Sequence, residues 1–338
     1  MIFSIKEHVM TTPVAILAAT GTVGQKLIAM VERHPDFYVG EIAASPKNAG
    51  KIYRDACTWR EKSSLPENVG KMVLKNCLDV ESPFVLSALP GDMAGEVEPA
   101  LAEKGIHVIS NASAMRMEAN VPLMIPEING DHISLVDSQS TKGKIITNPN
   151  CATVFLSMGL APLMSLGKIT HVSVVTLQAI SGAGYPGIPS MDIMGNIIPF
   201  IGGEEDKINQ EALKILGSAG KDADFSITTH VHRVPVIHGH TVAMHVSFDQ
   251  DVKVDDALSV LNNWEERFPK AFKIYTEEDR PQPAKDLTEF DQFAHIGRIK
   301  QGGRKNIIGL ISMGHNLVRG AAGAAIANLE LAVQKLKV

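Results

Sequence analysis

The sequence predicts an α/β fold in which a doubly wound parallel sheet is followed by a second domain. The chain has 338 residues, which is about the length of two domains of ordinary size. In its first half, short apolar stretches alternate with stretches of helical spacing, as expected for parallel strands joined by helices. In its second half, longer stretches alternate apolar and polar residues, which is typical of half-buried strands.

The overall composition favours a globular protein that acts on small molecules. Hydrophobic residues make up 45% and charged residues 20%, which allows a large buried core, and the net charge of -5 argues against nucleic acid as a partner. No apolar run approaches the roughly 20 residues of a membrane span, and no signal peptide is recognisable. Three separated cysteines fit a reducing compartment, so we expect a cytoplasmic protein. Whether translation starts at Met1 or Met10 stays open.

The first element is a strand, tight loop and helix in the stretch "PVAILAATGTVGQKLIAMVERHP". Residues 14–17 form the apolar strand, and helical spacing begins at Val23. Glycines in such a loop let the backbone approach a pyrophosphate at the start of the helix, and Gly21 and Gly24 suit that part. Ala18 stands where the first glycine of the dinucleotide-binding fingerprint is expected. An ordinary strand-to-helix turn is therefore the alternative.

The end of the second strand predicts which dinucleotide binds. A carboxylate there would accept hydrogen bonds from the ribose hydroxyls of NAD, but the sequence continues as "ASPKNAGK". Ser45 and Lys47 offer a hydroxyl and a cation, which suit a 2'-phosphate and favour NADP. The alternative is an ordinary solvated turn. Two later strands, in "FVLSALP" (residues 84–90) and "HVISNAS", complete the pattern of a parallel sheet with ligands at its carboxyl edge.

The stretch "TNPNCATV" sets Cys151 at the start of an apolar helix. Helix-terminal amides and the helix dipole stabilise a thiolate, so this position predicts a thiol pKa lowered from roughly 8.5. Asn148 or Asn150 would cap the helix, and backbone amides near the sulfur would bind an oxyanion. The alternative is a buried cysteine that only packs.

Two strand-like stretches follow. The first, "VVTLQAISGAGYPG", delivers Gln178 into a glycine-rich turn, where its amide can bind a substrate. The second, "DFSITTHVHRVPVIHGHTVAMHVSF", contains two H-x-H pairs, each predicted to lie on one face of a strand. We expect no metal, since further ligands at recognisable spacing are missing from the sequence. A histidine acting as acid/base for a cysteine needs no metal, and Arg233 suits a carboxylate.

Eight motifs, taken in order, resemble those of the aspartate-β-semialdehyde dehydrogenases of archaea and fungi. They are "AATGTVG", "SPKNAGK", "SALP", "TNPNCATV", "LQAISGAGYPG", "GEEDKINQE", "RVPVIHGHT" and "HNLVRGAAGA". The resemblance implies a Rossmann-type NADP-binding domain in residues 1–150, completed by a C-terminal helix in residues 316–338. It implies a second, mixed α/β domain for catalysis and dimerisation in residues 151–315.

The resemblance also implies roles for individual residues. The catalytic set is Cys151 as nucleophile, His240 as acid/base, Gln178 and Asn150. His240 follows Arg233 at the family's interval, which leaves His238 outside this set. The substrate-binding set is Arg233 for the α-carboxylate, Glu204 for the amino group, and Arg116 and Lys207 for the phosphate. The cofactor-binding set is Thr20, Gly21, Thr22, Val23, Ser45, Lys47, Ser87, Gly182 and Asn316.

The function implied is reversible, NADP-dependent reductive dephosphorylation of aspartyl-β-phosphate to aspartate-β-semialdehyde through a cysteine thioester. This reaction belongs to the biosynthesis of lysine, threonine, methionine and isoleucine, and the resemblance implies a homodimer or homotetramer. His238 stands where relatives more often have an acidic residue, and archaeal malonyl-CoA reductase is similar at that point. Three alternatives remain: that reductase, an N-acetyl-γ-glutamyl-phosphate reductase, or a non-catalytic NADP sensor.

Overall fold

The structure is a computed structural model that describes residues 12–336. Both candidate start residues, Met1 and Met10, lie outside this range, as do the outer ends of the predicted 1–150 and 316–338 segments. Within residues 12–336, no helix combines the length and apolar character needed to cross a membrane.

The first sheet is parallel throughout and has the spatial order β3-β2-β1-β4-β5-β6. Its strands are β1 (Thr12–Leu17), β2 (Phe37–Ala44), β3 (Lys75–Asn76), β4 (Phe84–Ser87), β5 (His107–Ser110) and β6 (Ile145–Thr147). The strand order reverses between β1 and β4, and ligands of such sheets bind at the carboxyl edge beside that reversal. The predicted doubly wound sheet is confirmed, although β4 ends at Ser87 instead of continuing to Pro90.

Helices cover both faces of this sheet. They are α1 (Thr22–Val31), α2 (Tyr53–Ala56), α3 (Glu67–Gly70), α4 (Gly91–Glu103), α5 (Pro126–Asn129) and, from the end of the chain, α11 (Gly323–Leu336). On one face, Ala325 and Leu329 of α11 share an apolar core with Val14 of β1 and Leu27 of α1. The last helix therefore packs on the first sheet, while the boundaries proposed for the two domains stay a prediction.

The second sheet is mixed and has the spatial order β10-β11-β12-β9-β7-β8. Its strands are β7 (Ile169–Gln178), β8 (Ser226–Arg233), β9 (His240–Phe248), β10 (Phe272–Ile274), β11 (Ala294–Gln301) and β12 (Ile307–Gly314). The pairs β7 with β8 and β10 with β11 are parallel, and the remaining neighbours are antiparallel. Along β7, buried Val172 and Val174 alternate with exposed Val175 and Leu177, so one face of the sheet lies on a core and the other faces outward.

The buried face of the second sheet packs against helices that include the one predicted to start at Cys151. The helices of this half are α6 (Cys151–Leu160), α7 (Ser190–Ile193), α8 (Glu204–Leu216), α9 (Val254–Arg267) and α10 (Pro283–Asp286). Helix α6 contacts β9, β12 and α8. The start of α6 lies close to the start of α8, because Nδ2 of Asn150 donates a hydrogen bond to Oε2 of Glu204. This packing brings the two motifs "TNPNC" and "GEEDK" together.

One prediction about the histidine pairs is wrong. His230 and His232 share one face of β8, as expected from their alternation. His238, however, precedes β9, which begins at His240. Gly239 between them has φ of +104°, a backbone conformation that turns the two neighbouring side chains away from a common strand face.

Candidate active site

The start of α6 is organised by Asn150. Its Oδ1 accepts a hydrogen bond from the N–H of Ala152 at 2.8 Å, which caps the helix. Asn148, the other predicted cap, lies elsewhere: its Nδ2 donates to Oδ1 of Asn111 at 2.9 Å, and its Oδ1 accepts from Asn328 of α11 at 2.6 Å. Asn150 is therefore the cap and Cys151 is the first helical residue, whereas Asn148 ties this loop to the C-terminal helix.

A carboxylate from α8 joins this group. Oε2 of Glu204 accepts a hydrogen bond from Nδ2 of Asn150 at 2.8 Å and a longer one from Nε2 of Gln178 at 3.4 Å. Gln178 is the last residue of β7 and is buried. Three residues predicted from separate motifs therefore meet beside Cys151.

The main chain of Ala179 orients two further site residues. Its N–H donates to Nδ1 of His240 at 3.1 Å, and its carbonyl oxygen accepts from Nη1 of Arg233 at 2.7 Å. Because a main-chain N–H can only donate, Nδ1 of His240 is the acceptor and a neutral ring has its proton on Nε2. Within the described chain, this buried Nε2 has no hydrogen-bond partner. His240 is therefore set to donate a hydrogen bond from Nε2, not to accept one there.

Gly182 lies directly against both of these side chains. A Cβ atom on Gly182 would stand 2.8 Å from Nη1 of Arg233 and 2.9 Å from Cε1 of His240. Only a residue without a side chain fits there. The predicted cofactor contact of Gly182 stays a prediction, and its position shows an additional steric requirement next to His240.

A cavity of about 470 Å³ lies over this group. Its polar wall consists of Asn150, Cys151, Gln178, Gly182, Glu204 and Arg233. Ile188, Ile198 and Phe200 form part of its apolar wall. Ligand pockets of a few hundred Å³ hold small molecules, and this one presents both a cation and a carboxylate to its contents.

The ionisation of the site differs from the sequence prediction. Burial raises the pKa of the Cys151 thiol to about 12, and the Glu204 carboxylate acts in the same direction. Arg116, Arg233 and the Ala152 amide lower that pKa but are outweighed. The prediction that the helix start lowers the pKa of the Cys151 thiol is therefore wrong for the free protein. Desolvation destabilises a charged sulfur more than the helix end stabilises it. Burial, aided by Arg233 and His315, also lowers the pKa of His240 to about 3, so the ring is neutral.

The two residues expected to hold phosphate lie outside the cavity wall. Arg116 is buried, and its Nη1 pairs with Oε1 of Glu211 at 2.8 Å while its Nη2 donates to the carbonyl of Asn111 at 2.7 Å. Lys207 is half-exposed, with Nζ 4.0 Å from Oε1 of Glu204. Sequence reasoning missed Glu211, although it stands two helical turns after Glu204 on the same side of α8.

The loop before α1 has the features that a pyrophosphate requires. Helix α1 starts after Gly21 without a side-chain cap or an acidic residue in its first turn, so the amides of Thr22 and Val23 are available. A Cβ on Gly24 would approach the carbonyl oxygen of Ala18 to 2.3 Å, so this tight turn requires glycine. Ala18 itself has φ of +53°, a conformation that favours the glycine it replaces. Thr20 is held by Nε2 of Gln25, which donates to its carbonyl at 3.0 Å.

Of the other residues predicted to bind the cofactor, some are exposed and others have buried side chains. Ser45 and Lys47 are exposed beyond the end of β2, and the nearby carboxylate of Glu41 is occupied by Lys75 and Ser82. The hydroxyl of Ser87 is fully buried beside the carboxyl of Glu98, because this strand position faces α4, and the predicted cofactor contact of Ser87 stays a prediction. Only its main chain can reach the carboxyl edge.

Asn316 is buried and its amide is already bonded to protein. Its Oδ1 accepts from the N–H of Gly239 at 2.9 Å, and its Nδ2 donates to Oγ of Ser181 at 2.9 Å. His238 also bonds to Ser181 and stacks on His315 with ring centroids 4.9 Å apart. Asn316 therefore joins the loops before β9 and after β7, while His238 lines a different cavity from Cys151.

Among residues 12–336, no three or more His, Cys, Asp or Glu side chains are grouped so as to hold a metal ion.

Comparison with known proteins identifies relatives of both halves. Residues 13–136 match a family model described as the NAD-binding domain of semialdehyde dehydrogenases, and residues 160–319 match the dimerisation domain of the same enzymes. The aspartate-semialdehyde dehydrogenase of Archaeoglobus fulgidus is 44% identical over 95% of this chain and 98% of that protein.

Two solved structures extend the comparison. The aspartate-semialdehyde dehydrogenase of Candida albicans with NADP has a TM-score of 0.88 at 33% identity, covering 97% of this chain and 100% of that one. An aspartate-semialdehyde dehydrogenase II of Vibrio cholerae complexed with ASA has a TM-score of 0.80 at 25% identity, covering 96% of this chain and 99% of that one.

Proposed function

The chain belongs to the family of aspartate-semialdehyde dehydrogenases, and on this premise we propose which of its residues perform each part of the reaction. The activity is that of the family, in the aspartate pathway and with NADP as cofactor. One observation chiefly supports the assignment of roles: Cys151 begins α6 at the wall of a cavity that it shares with Arg233, Glu204 and Gln178.

Cys151 is the nucleophile. In the reductive direction, its sulfur bonds to the acyl carbon of aspartyl-β-phosphate, the bond from that carbon to the phosphate oxygen breaks, and the thiol proton leaves with the phosphate. NADPH held at the edge of the first sheet would supply the hydride for reduction of the acyl group. The carbon–sulfur bond then breaks, which releases aspartate-β-semialdehyde, and the sulfur takes up a proton from solvent to restore the Cys151 thiol. The reverse direction uses the same residues with phosphate as the acceptor of the acyl group.

His240 provides the hydrogen-bond donor at the reacting oxygen. With Nδ1 occupied by the Ala179 N–H, its Nε2–H donates to the oxygen that becomes negative when the carbonyl is attacked. In the role predicted from the sequence, His240 first takes the thiol proton. That role would require the ring proton to be on Nδ1 and the hydrogen bond from the Ala179 N–H to be lost. Near the sulfur, the main-chain N–H of Asn150 donates to Glu211, and the main-chain N–H of Ala152 donates to the side chain of Asn150. We therefore assign the main-chain N–H of Cys151 to the oxyanion.

Six residues bind the substrate or position the groups that bind it. Arg233 lines the cavity and suits the α-carboxylate, since its planar guanidinium forms paired hydrogen bonds with carboxylates. Glu204 lines the same cavity and suits the amino group. Gln178 and Asn150 hold Glu204 in place from either side. Arg116 and Lys207 bind the phosphate, which requires that the substrate extend beyond the cavity wall toward them.

The cofactor is held by the edge of the first sheet. Thr20, Gly21, Thr22 and Val23 bind the pyrophosphate with main-chain amides, a role supported by the uncapped start of α1. Ser45 and Lys47 bind the 2'-phosphate, supported by their exposure after β2. Asn316 and Gly182 shape the nicotinamide end, Asn316 through its bonds to Ser181 and Gly239.

We propose that the chain works as a homodimer whose contact includes the outward face of β7. Val175 and Leu177 are exposed there, and the segment between β7 and β8 adds exposed Met191, Met194 and Phe200. Exposed apolar side chains mark a protein interface when they form a contiguous patch. The match of residues 160–319 to a dimerisation domain supports this assignment. A tetramer and a cytoplasmic location remain predictions.

An assay of NADP reduction tests this function. With aspartate-β-semialdehyde and phosphate, the protein should reduce NADP, and omission of phosphate should stop the reaction. Cys151→Ala should lower turnover by about 10³-fold or more while the Kd for NADPH stays within a factor of about two. Cys77→Ala is the matched control, since Cys77 is buried under the first sheet. Turnover of Cys151→Ala near that of the control would exclude Cys151 as the nucleophile.

A further inference from the structure

Glu211 of α8 contacts two parts of the active site at once. Its Oε2 accepts a hydrogen bond from the main-chain N–H of Asn150 at 2.6 Å, and its Oε1 pairs with Nη1 of Arg116 at 2.8 Å. Glu211 and Arg116 are both buried, with 2% and 7% of their surfaces exposed. Charges this deeply buried are stable only when they are paired and hydrogen-bonded, so this carboxylate and this guanidinium require one another.

Two carboxylates of α8 hold opposite sides of the residue before the nucleophile. Glu204 accepts from the side-chain Nδ2 of Asn150, while Glu211, two helical turns later, accepts from its main-chain N–H. Asn150 in turn caps α6 through Ala152. The orientation of the main chain that leads into Cys151 is therefore determined by α8 as well as by α6.

Glu211 also determines how Arg116 is directed and how much of its charge remains uncompensated. Glu211 binds one end of the guanidinium and the carbonyl of Asn111 binds the other, while Nε of Arg116 is buried without a partner among the described residues. The charged groups that act on the Cys151 sulfur are Glu204 from α8, Arg116 from the loop after β5 and Arg233 from the end of β8. The Glu211 carboxylate offsets the positive charge of Arg116.

We propose that Glu211 is a positioning residue that orients Arg116 and Asn150 around Cys151 and, by compensating part of the charge of Arg116, weakens the stabilisation that Arg116 gives to a negative charge on the sulfur. Its effect on the sulfur is inferred through Arg116, which pairs with Glu211 and acts on the sulfur. Its effect on phosphate rests on the function proposed above, in which Arg116 binds phosphate.

Alkylation of Cys151 as a function of pH tests the effect on the sulfur without requiring turnover. Iodoacetamide labelling of the peptide that contains Cys151 is followed by mass spectrometry, which separates it from Cys57 and Cys77. Glu211→Gln removes one negative charge close to the site, so the midpoint of labelling should fall by about one pH unit or more. An unchanged or higher midpoint would overturn the proposal.

Matched variants separate this effect from a general loss of structure. Glu205→Gln changes a carboxylate on the same helix that accepts from the N–H of Val231, and it should leave the midpoint unchanged. The double variant Glu211→Gln with Arg116→Gln removes both charges of the pair, so it avoids an unpaired buried charge and should restore a midpoint near the wild type. A double variant that shifts as far as Glu211→Gln alone would contradict the compensation of Arg116.

The phosphate KM in the oxidative direction tests the second effect. Glu211→Gln should change this KM by about threefold or more. The change should vanish in a protein that already contains Arg116→Gln, because the effects of substituting two residues that act through each other are not additive. Additive effects would mean that Glu211 only stabilises the fold. If the wild-type protein reduced no NADP with the semialdehyde and phosphate, the proposed function would fail while the alkylation result for Glu211 would stand.

Discussion

The main-chain N–H of Ala179 donates a hydrogen bond to Nδ1 of His240 at 3.1 Å, and this contact determines the tautomer of the histidine ring. A neutral His240 then has its proton on Nε2, which lies beside Gly182 in the active site. The carbonyl oxygen of the same alanine accepts a hydrogen bond from Nη1 of Arg233. Ala179, which contributes no functional side chain, thus orients both the proposed hydrogen-bond donor His240 and the proposed carboxylate-binding residue Arg233.

Two substitutions of His240 separate the two ring nitrogens. His240→Asn places an acceptor near the Nδ1 position and removes the donor, so we expect a stable protein with turnover lowered by about 10²- to 10⁴-fold. His240→Gln keeps an amide donor near the Nε2 position but loses the acceptor, so it should be less stable and retain more activity. Turnover and the free energy of unfolding should be measured for both. The reverse ranking of activities would show that the Nδ1 side performs the proton transfer.

The buried histidines make the fold sensitive to acid. Burial lowers the pKa of both His240 and His315 to about 3, whereas the unfolded chain titrates near 6.5. Below that pH the unfolded state binds protons that the folded state does not. The free energy of unfolding should therefore fall as pH decreases from about 6.5 toward about 3, by about 1.4 kcal/mol per pH unit for each histidine.

Urea unfolding at a series of pH values measures this slope. His240→Asn should reduce the slope between pH 6 and pH 4, because one of the two depressed histidines is gone. The exposed His230 provides the control, since His230→Asn should leave the slope as it is. A wild-type stability that is flat across this interval would contradict the neutral, buried state of both rings.

Gly182→Ala should damage catalysis by sterics alone. A methyl group at this position would stand 2.8 Å from Nη1 of Arg233 and 3.1 Å from Nε2 of His240, so one of the two must move. A misplacement of about 1 Å in such groups costs on the order of 100-fold in kcat/KM. Gly303→Ala is the control, because a Cβ there meets open space. Should the variant chiefly raise the Kd for NADPH, Gly182 would be a cofactor contact first and a catalytic neighbour second.

Lys47→Glu should reverse the preference for the phosphorylated cofactor. Ser45 and Lys47 are both exposed after β2, where the 2'-phosphate is proposed to bind. Exchanging a cation for an anion there should weaken NADPH by about 100-fold and leave NADH nearly unchanged. Lys51→Glu, on the same loop and also exposed, should change both cofactors little. Equal losses for NADPH and NADH with Lys47→Glu would remove Lys47 from the 2'-phosphate site.

The sequence by itself determined the fold class, the family and the cofactor, because these depend on local patterns. Strand alternation and helical spacing reflect burial on one face of an element, and they correctly predicted β1, α1, β7 and the start of α6 at Cys151. The order of the motifs identified the family, and the interval between Arg233 and His240 singled out one histidine of five. The roles assigned to these residues and the boundaries of the two domains stay predictions.

Only the tertiary structure decided how these residues act on one another. Glu211 meets Asn150 across 61 positions, and His240 meets Ala179 across another 61, so no local spacing announced either contact. The inward direction of Ser87 and the raised pKa of Cys151 likewise depend on what packs around them. A residue's type and neighbours in sequence specify the chemistry it can perform. Its charge state and its hydrogen-bond partners depend on desolvation and on distant segments, and these exist only once the chain has folded.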